Sequence, residues 1–130
     1  MKKLLFILSI FLLAACGTTR DPQLREQLDR DFGFDPRHPI LVGSDNLESG
    51  PGNQQDYLNN LSGPNGEVIT YTRLGSCCDF RTENGILGNG MLDKYEINYE
   101  GLEEPIILYF NMYDPAPQDI QVPAGLILKE

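Results

Sequence analysis

The chain has 130 residues, of which 19 are acidic and 10 basic, so its formal charge at pH 7 is −9. Nucleic-acid recognition depends on clustered lysine and arginine side chains that neutralise phosphates. So acidic a chain lacks that charge, and we predict no nucleic-acid partner. The simplest role of the acidity is solubility.

The N-terminus has the three parts of an export signal. Lys2 and Lys3 form a basic start, an apolar run of ten residues follows at 4–13, and small residues precede Cys16. A membrane-spanning helix needs about 20 apolar residues, so this run is too short to anchor the protein. The alternative is an ordinary secretory signal that happens to contain a cysteine.

The segment Leu13-Ala14-Ala15-Cys16 resembles the bacterial lipobox. The resemblance implies that residues 1–15 are a lipoprotein signal peptide, that Cys16 receives a diacylglyceryl group, and that the new amino terminus is acylated, with palmitate as a typical chain. Two or more chains give stable anchoring, so the expected partner is a membrane, held through the lipid. Gly17 replaces the aspartate that retains some lipoproteins at the inner membrane, which favours the outer membrane.

Residues 16–37 are expected to form a lipid-anchored tether. Leu24, Leu28 and Phe32 recur every four residues, and Asp21-Pro22 supplies a helix cap followed by proline at the first helical position. This pattern is compatible with a short helix and equally with a flexible tether.

Residues 38–130 are expected to fold as a single globular domain with one modest core. Runs of β-branched and aromatic residues predict strands, and apolar spacing after a cap at Asn53 predicts a helix. Residues 43–52 and 81–90 are predicted loops, because Gly, Pro and two Asn-Gly pairs favour turns. The predicted strands lie at 38–42, 68–72, 94–100, 106–110 and 125–128, and the helix at 53–61.

The predicted fold class is α+β, with a small, mainly antiparallel sheet of four to five strands and one packed helix. Five consecutive apolar residues at 106–110 predict a strand near the centre of the sheet that is covered on both faces.

Cys77-Cys78 is the one unusual arrangement in the chain. With Cys16 carrying lipid, these are the only thiols left, in an oxidising compartment. Adjacent Cα atoms lie about 3.8 Å apart, whereas ordinary disulfides span roughly 4.4–6.8 Å, so a bond between them is strained and easily reduced. Three interpretations stay open: a vicinal disulfide that forms a rigid kink, thiols packed as small hydrophobes, and a redox or soft-metal site.

No catalytic residue, metal site or cofactor is predicted elsewhere. His38 is the only histidine, which argues against a serine triad and against a four-ligand zinc site. The glycines at 85, 88 and 90 do not follow a phosphate-loop pattern and are predicted turns. Asp79, Glu83 and Asp93 lack calcium-loop spacing, so we expect them to form a solvated rim.

Several stretches of the mature chain carry a family resemblance, among them Gly75-Ser76-Cys77-Cys78-Asp79-Phe80, Leu92-Asp93-Lys94-Tyr95-Glu96 and Pro105-Ile106-Ile107-Leu108-Tyr109-Phe110. They resemble a group of small lipoproteins from Bacteroidota. The resemblance implies a shared fold with the Cys-Cys pair in place and transfers no catalytic residue. Some members carry the name dehydro-deoxyphosphooctonate aldolase, but those enzymes are barrels of about 250 residues, more than twice the length of this mature chain.

These features lead to two functional hypotheses. The first is a cell-envelope lipoprotein with a non-enzymatic binding or interaction domain, whose partner would be another envelope protein. The alternative is a redox-active or ligand-binding protein that uses Cys77-Cys78.

Overall fold

The computed structural model describes residues 21–130 and confirms the α+β class. The predicted signal peptide at 1–15 and the predicted lipidation site Cys16 lie outside the described residues. A four-stranded sheet and a separate pair of very short strands are accompanied by two helices and one 3-10 turn. In chain order the elements are α1 (Pro22–Asp31), β1 (Ile40–Gly43), the 3-10 turn (Leu47–Ser49), α2 (Gly50–Asn59), β2 (Leu61–Ser62), β3 (Thr70–Ile86), β4 (Asn89–Asn98), β5 (Ile106–Pro115) and β6 (Ile127–Leu128).

The main sheet has the strand order β1-β5-β4-β3. Strands β3, β4 and β5 pair antiparallel, whereas β1 runs parallel to β5. Both β1 and β3 are therefore edge strands. The last predicted strand, at 125–128, does not join this sheet, because its residues Ile127 and Leu128 pair with β2 instead.

The core lies between α2 and one face of the sheet. Alternate residues of β4 and β5 reach it, since side chains of a strand point to opposite faces in turn. Tyr95 packs edge-to-face on Phe110, with ring centroids 5.3 Å apart, a favoured aromatic geometry. The buried members are Ile40, Val42, Leu58, Leu61, Ile69, Tyr95, Ile97, Leu108, Phe110 and Leu126.

Strand β5 lies inside the sheet, as predicted, but it is not covered on both faces. Leu108 and Phe110 are fully buried, whereas Ile107 and Tyr109 are half-buried on the opposite face. A continuous apolar run is typical of a doubly covered strand. Residues 21–130 leave this second face half-exposed, so the prediction of two covered faces is wrong.

Helix α2 begins three residues earlier than predicted. Gly50 approaches Met112 so closely that a Cβ atom would lie 2.7 Å from its sulfur atom, and Pro51 is tolerated in the first turn, where its missing N–H leaves nothing unpaired. Asn53 is not the cap. Its side-chain amide donates instead to the Val42 carbonyl oxygen at 2.9 Å, which ties α2 to β1.

The predicted loop at 81–90 is wrong, since most of it belongs to a long β3–β4 hairpin. The turn is formed by Leu87 and Gly88, both with positive φ, at 55° and 76°. Gly85 begins this turn, since its carbonyl oxygen accepts from the Gly88 N–H at 3.3 Å, whereas Gly90 lies outside it, and both glycines also allow a close approach. A Cβ at Gly85 would meet the backbone of Asn89, and one at Gly90 would lie 2.8 Å from the Tyr113 ring.

Residues 22–31 form a helix, which is one of the two structures, a short helix or a flexible tether, that the sequence left open for this segment. Asp21 caps it as predicted, because its carboxylate accepts from the Gln23 backbone N–H at 3.0 Å. No residue of α1 is buried. After the helix, Phe32 and Phe34 pack against the core, and the Gly33 carbonyl accepts from the Tyr109 N–H at 2.8 Å. Contacts with the domain thus extend N-terminal to residue 38.

Candidate functional site

The Cys77-Cys78 pair lies at a β-bulge on the edge strand β3. Cys77 faces Leu92 and Asp79 faces Met91, so Cys78 is the extra residue of the bulge. Cys78 has a φ of 49°, a left-handed conformation that costs an L-residue other than glycine roughly 1–2 kcal/mol. The two residues form a vicinal disulfide, and their Cα atoms are 3.8 Å apart. Bulges of this kind blunt an edge strand and redirect its side chains.

Neither cysteine belongs to the core. Cys77 is half-buried and Cys78 is exposed, so solvent and small thiols can reach the pair. The local sequence places it there because Gly75, with a φ of 124°, precedes it within a second irregular stretch of β3. The pair is thus a small apolar feature on an accessible edge rather than part of the packing between α2 and the sheet.

A buried polar network lies beside the pair and joins α2 to β3 and β4. Asp93 is its centre. Its carboxylate accepts from the Gln54 amide at 2.7 Å, from the Arg73 guanidinium at 2.7 Å and from the Ser76 hydroxyl at 3.0 Å. Tyr95 completes the network by donating to the Gln54 side-chain oxygen at 2.9 Å. The expectation that Asp93 lies on a solvated rim is wrong, since it is only 5% exposed.

This network is saturated and structural in character. Every polar group of Gln54 and Asp93 that faces the interior has a partner, as buried polar groups require. Burial, together with the nearby Asp93 charge, raises the pKa of the Tyr95 phenol, although Arg73 partly opposes this. The Ser76 hydroxyl donates to the Asp93 carboxylate and accepts from the Arg73 guanidinium, so both of its partners belong to the network.

A second polar cluster fixes the hairpin to the end of β5. Burial disfavours ionisation of Asp114, but hydrogen bonds from Thr82, Asn111 and Asn84 outweigh it and lower the pKa of that carboxyl. Asn111 donates at 2.7 Å and Asn84 at 3.0 Å, and Thr82 also donates to the carboxylate. Like the first network, this cluster connects elements rather than presenting a reactive group.

A groove of about 750 Å³ lies between α1 and the β1 edge, and we name it the α1 groove. Its volume lies within the range of about 300–1,000 Å³ that is typical of small-molecule sites. Four parts of the chain line it: α1 with its C-cap (Arg25, Leu28, Asp29, Phe32), residues around β1 (Arg37, His38, Pro39, Leu41, Val42, Gly43), α2 with its C-cap (Asn53, Asp56, Tyr57, Asn60) and the C-terminal segment (Ala116, Pro117, Ile120, Gln121, Leu128).

Hydrogen bonds hold three of the four walls together. Asn53 joins α2 to β1, and the Tyr57 hydroxyl donates to the Gln121 carbonyl oxygen. The Ala116 N–H donates to the Gly43 carbonyl at 3.2 Å. Burial raises the pKa of the Tyr57 phenol well above its usual range, so Tyr57 stays a neutral donor. The fourth wall, α1, makes no side-chain hydrogen bond to the other three within residues 21–130.

His38 lines the groove, and its Nδ1 atom is buried with no hydrogen-bond partner among residues 21–130. Within the described part of the chain, no three His, Cys, Asp or Glu side chains are grouped closely enough to hold a metal ion. The described residues therefore place His38 in no metal-ligand cluster.

Sequence patterns could not have identified the α1 groove, because it forms from segments more than 90 residues apart. The one available signal was the apolar spacing of Leu24, Leu28 and Phe32 on a helix that buries none of its residues. No helix within residues 21–130 is long and apolar enough to cross a membrane. Comparison with protein families, characterised proteins and solved structures finds no match to this chain.

Proposed function

We propose that the chain is a lipid-anchored protein of the bacterial cell envelope, held at the outer membrane through Cys16, whose domain is a non-enzymatic binding module. The sequence support for the anchor is the agreement of basic start, short apolar run and lipobox. Cleavage of the signal peptide would remove Lys2 and Lys3, so the formal charge of the mature chain would be −11 instead of −9. So acidic a domain would be repelled by the surface of an anionic bilayer, so the lipid anchor at Cys16 is what would keep it at the membrane.

The α1 groove carries the binding part of the proposal. A largely apolar concavity with a few polar groups is the usual form of a ligand site, and three of its walls are preformed by hydrogen bonds. The case for a non-enzymatic role is that the one histidine makes no side-chain hydrogen bond to any described residue. Acid–base or nucleophilic chemistry needs such paired groups.

The anchor is tested by membrane fractionation of Cys16→Ser. We expect this variant to accumulate as an unprocessed precursor or to move to the soluble fraction, because it cannot accept the diacylglyceryl group. The control replaces Cys77 and Cys78 by serine and should fractionate like the wild type. A Cys16→Ser protein that is processed and membrane-held as before would refute the anchor.

The binding role is tested by recovery of bound molecules from the native envelope with the anchor intact. Ile120→Glu places a charge in the α1 groove, and Ile86→Glu places the same charge at the hairpin turn. Both isoleucines are well exposed, at 63% and 77%, so both variants should fold. A bound molecule or envelope partner lost only from Ile120→Glu supports the groove as the site. Equal recovery from both variants counts against it.

A redox or ligand-binding role for Cys77-Cys78 is a second candidate, favoured by the exposure of Cys78 at the bulge. Alkylation and mass spectrometry, with and without a small thiol reductant, separate it from a purely structural pair. A disulfide that exchanges readily and re-forms supports the redox role. Thiols that stay reduced and unreactive after export rule that role out.

A further inference from the structure

Helix α1 has an apolar side that the described residues cover only in part. It has ten residues, none of them buried, and Leu24 and Leu28 are 59% and 39% exposed. Isolated helices shorter than about 12–15 residues are marginal in water. In this fold the helix is attached mainly through Phe32 and Phe34, which follow it. A molecule held between α1 and the rest of the domain would supply the missing contact.

The α1 groove has the character of an amphiphile site. Its apolar lining comes from all four walls and includes exposed Leu28, Ile120 and Leu128. Exposure of these apolar side chains to water is unfavourable. Burying them against a ligand would stabilise the complex by roughly 25 cal/mol per Å² of apolar surface removed from water. An unbranched hydrocarbon chain can follow such an open groove along these apolar side chains.

The charges that line the groove indicate what the other end of that molecule would be. Acidic residues outnumber basic ones almost two to one in the chain, yet here two arginines balance Asp29 and Asp56. Arg37 is held by Asp35, at 2.6 Å. Arg25 makes no ion pair with any described residue, and guanidinium groups bind carboxylate and phosphate oxygens strongly.

We propose that the α1 groove binds a free single-chain amphiphile that carries an oxyanion, a fatty acid or a lysophospholipid, with its acyl chain along Leu28 and Ile120 and its oxyanion at Arg25. The proposal rests on the proposed function, because the lipid anchor would place the groove beside the membrane that supplies such molecules. It names the ligand class that the binding module would take.

The test is calorimetric titration of the unlipidated protein, Cys16→Ser without its signal peptide, with oleate and with a lysophospholipid below their micelle concentrations. We expect saturable binding of one molecule per domain. Ile120→Glu should weaken binding about tenfold or more, because it would bury a charge against hydrocarbon, whereas the matched Ile86→Glu should bind like the parent protein. Absence of saturable binding, or equal loss in both variants, overturns the proposal.

The oxyanion is tested separately with a monoacylglycerol, which has the same chain and no charge. Arg25→Gln should weaken oleate binding about tenfold and leave the monoacylglycerol unaffected. Arg81→Gln, a change at an exposed arginine on β3, is the control. If Arg25→Gln weakens both ligands equally, the oxyanion assignment is wrong.

A final arm compares the lipidated protein with the unlipidated one. If the groove takes free amphiphiles, both forms bind oleate alike. If only the unlipidated form binds, the protein's own acyl chain occupies the groove, and the proposal of a free ligand is overturned. These titrations are independent of fractionation, so failure of the anchor at Cys16 and failure of ligand binding would be distinguished.

Discussion

Asp93 is the residue whose loss should most weaken the fold outside the apolar core. Asp93→Ala leaves the Gln54 amide, which is completely buried, without the acceptor that now lies 2.7 Å away. An unsatisfied buried donor costs about 1–3 kcal/mol. The Arg73 side chain is 49% exposed and can turn to water, so the ion pair adds at most about 1 kcal/mol. We therefore expect a loss of about 1–4 kcal/mol in the free energy of unfolding.

Urea unfolding followed by circular dichroism measures this loss, with the midpoint lowered and the slope unchanged. Asp79→Ala is the matched control, because Asp79 is exposed on β3 and its loss should stay within about 0.5 kcal/mol. The cause is tested in a Gln54→Met background, where no buried amide remains to be orphaned and Asp93→Ala should cost clearly less. A loss below 0.5 kcal/mol, or the same loss in both backgrounds, would refute the reasoning.

Three further predictions concern the hairpin and the strand edges. Asp114→Asn should cost about 1 kcal/mol at neutral pH. The pKa of Asp114 in the folded state lies below its ordinary value of 3.8. The extra stability of the wild type over Asp114→Asn should therefore be present above pH 4 and should be lost as the pH falls through the folded-state pKa, which unfolding experiments across that range would measure. Leu87→Asn should stabilise the protein by about 1 kcal/mol, since Leu87 has positive φ before Gly88 and Asn-Gly suits such turns, while Ile86→Asn should give no gain in Tm. Gly43→Ala should lower stability by about 1–3 kcal/mol, because its Cβ would meet the Asp114 backbone between β1 and β5; an unchanged Tm would contradict this.

Short-range sequence patterns predict the structural elements that depend on residues close together in the chain. The cap at Asp21 was recognised because its partner Gln23 is two residues away. The alternation around Tyr95 and Ile97 predicted a half-buried strand because a period of two records burial on one face. The apolar run of β5 predicts its position inside the sheet. It does not predict that the second face is uncovered, because the run does not show how many layers pack on the sheet.

What the patterns missed depends on contacts between distant residues. The role of Asp93 depends on Gln54, which is 39 residues away, and an acidic residue near a turn looks the same whether or not an amide faces it. Gly90 follows asparagine, and the pattern therefore predicts a turn, whereas this glycine is required by the close approach of the Tyr113 ring. The actual turn, Leu87-Gly88, carries a residue that turns disfavour.

The two functional hypotheses use opposite edges of one sheet, and this makes them separable. Cys77 and Cys78 lie on β3, and the α1 groove is built on β1, with β4 and β5 between them. At about 4.8 Å between neighbouring strands, the two edges are roughly 14 Å apart. Changes at sites so far apart that share no partners usually add. Replacing both cysteines should therefore leave amphiphile binding unchanged, and Ile120→Glu should leave thiol exchange unchanged. Dependence of either readout on the other site would mean that the two edges are coupled, and the route would be the Gln54–Asp93–Ser76 network, which joins α2 to β3.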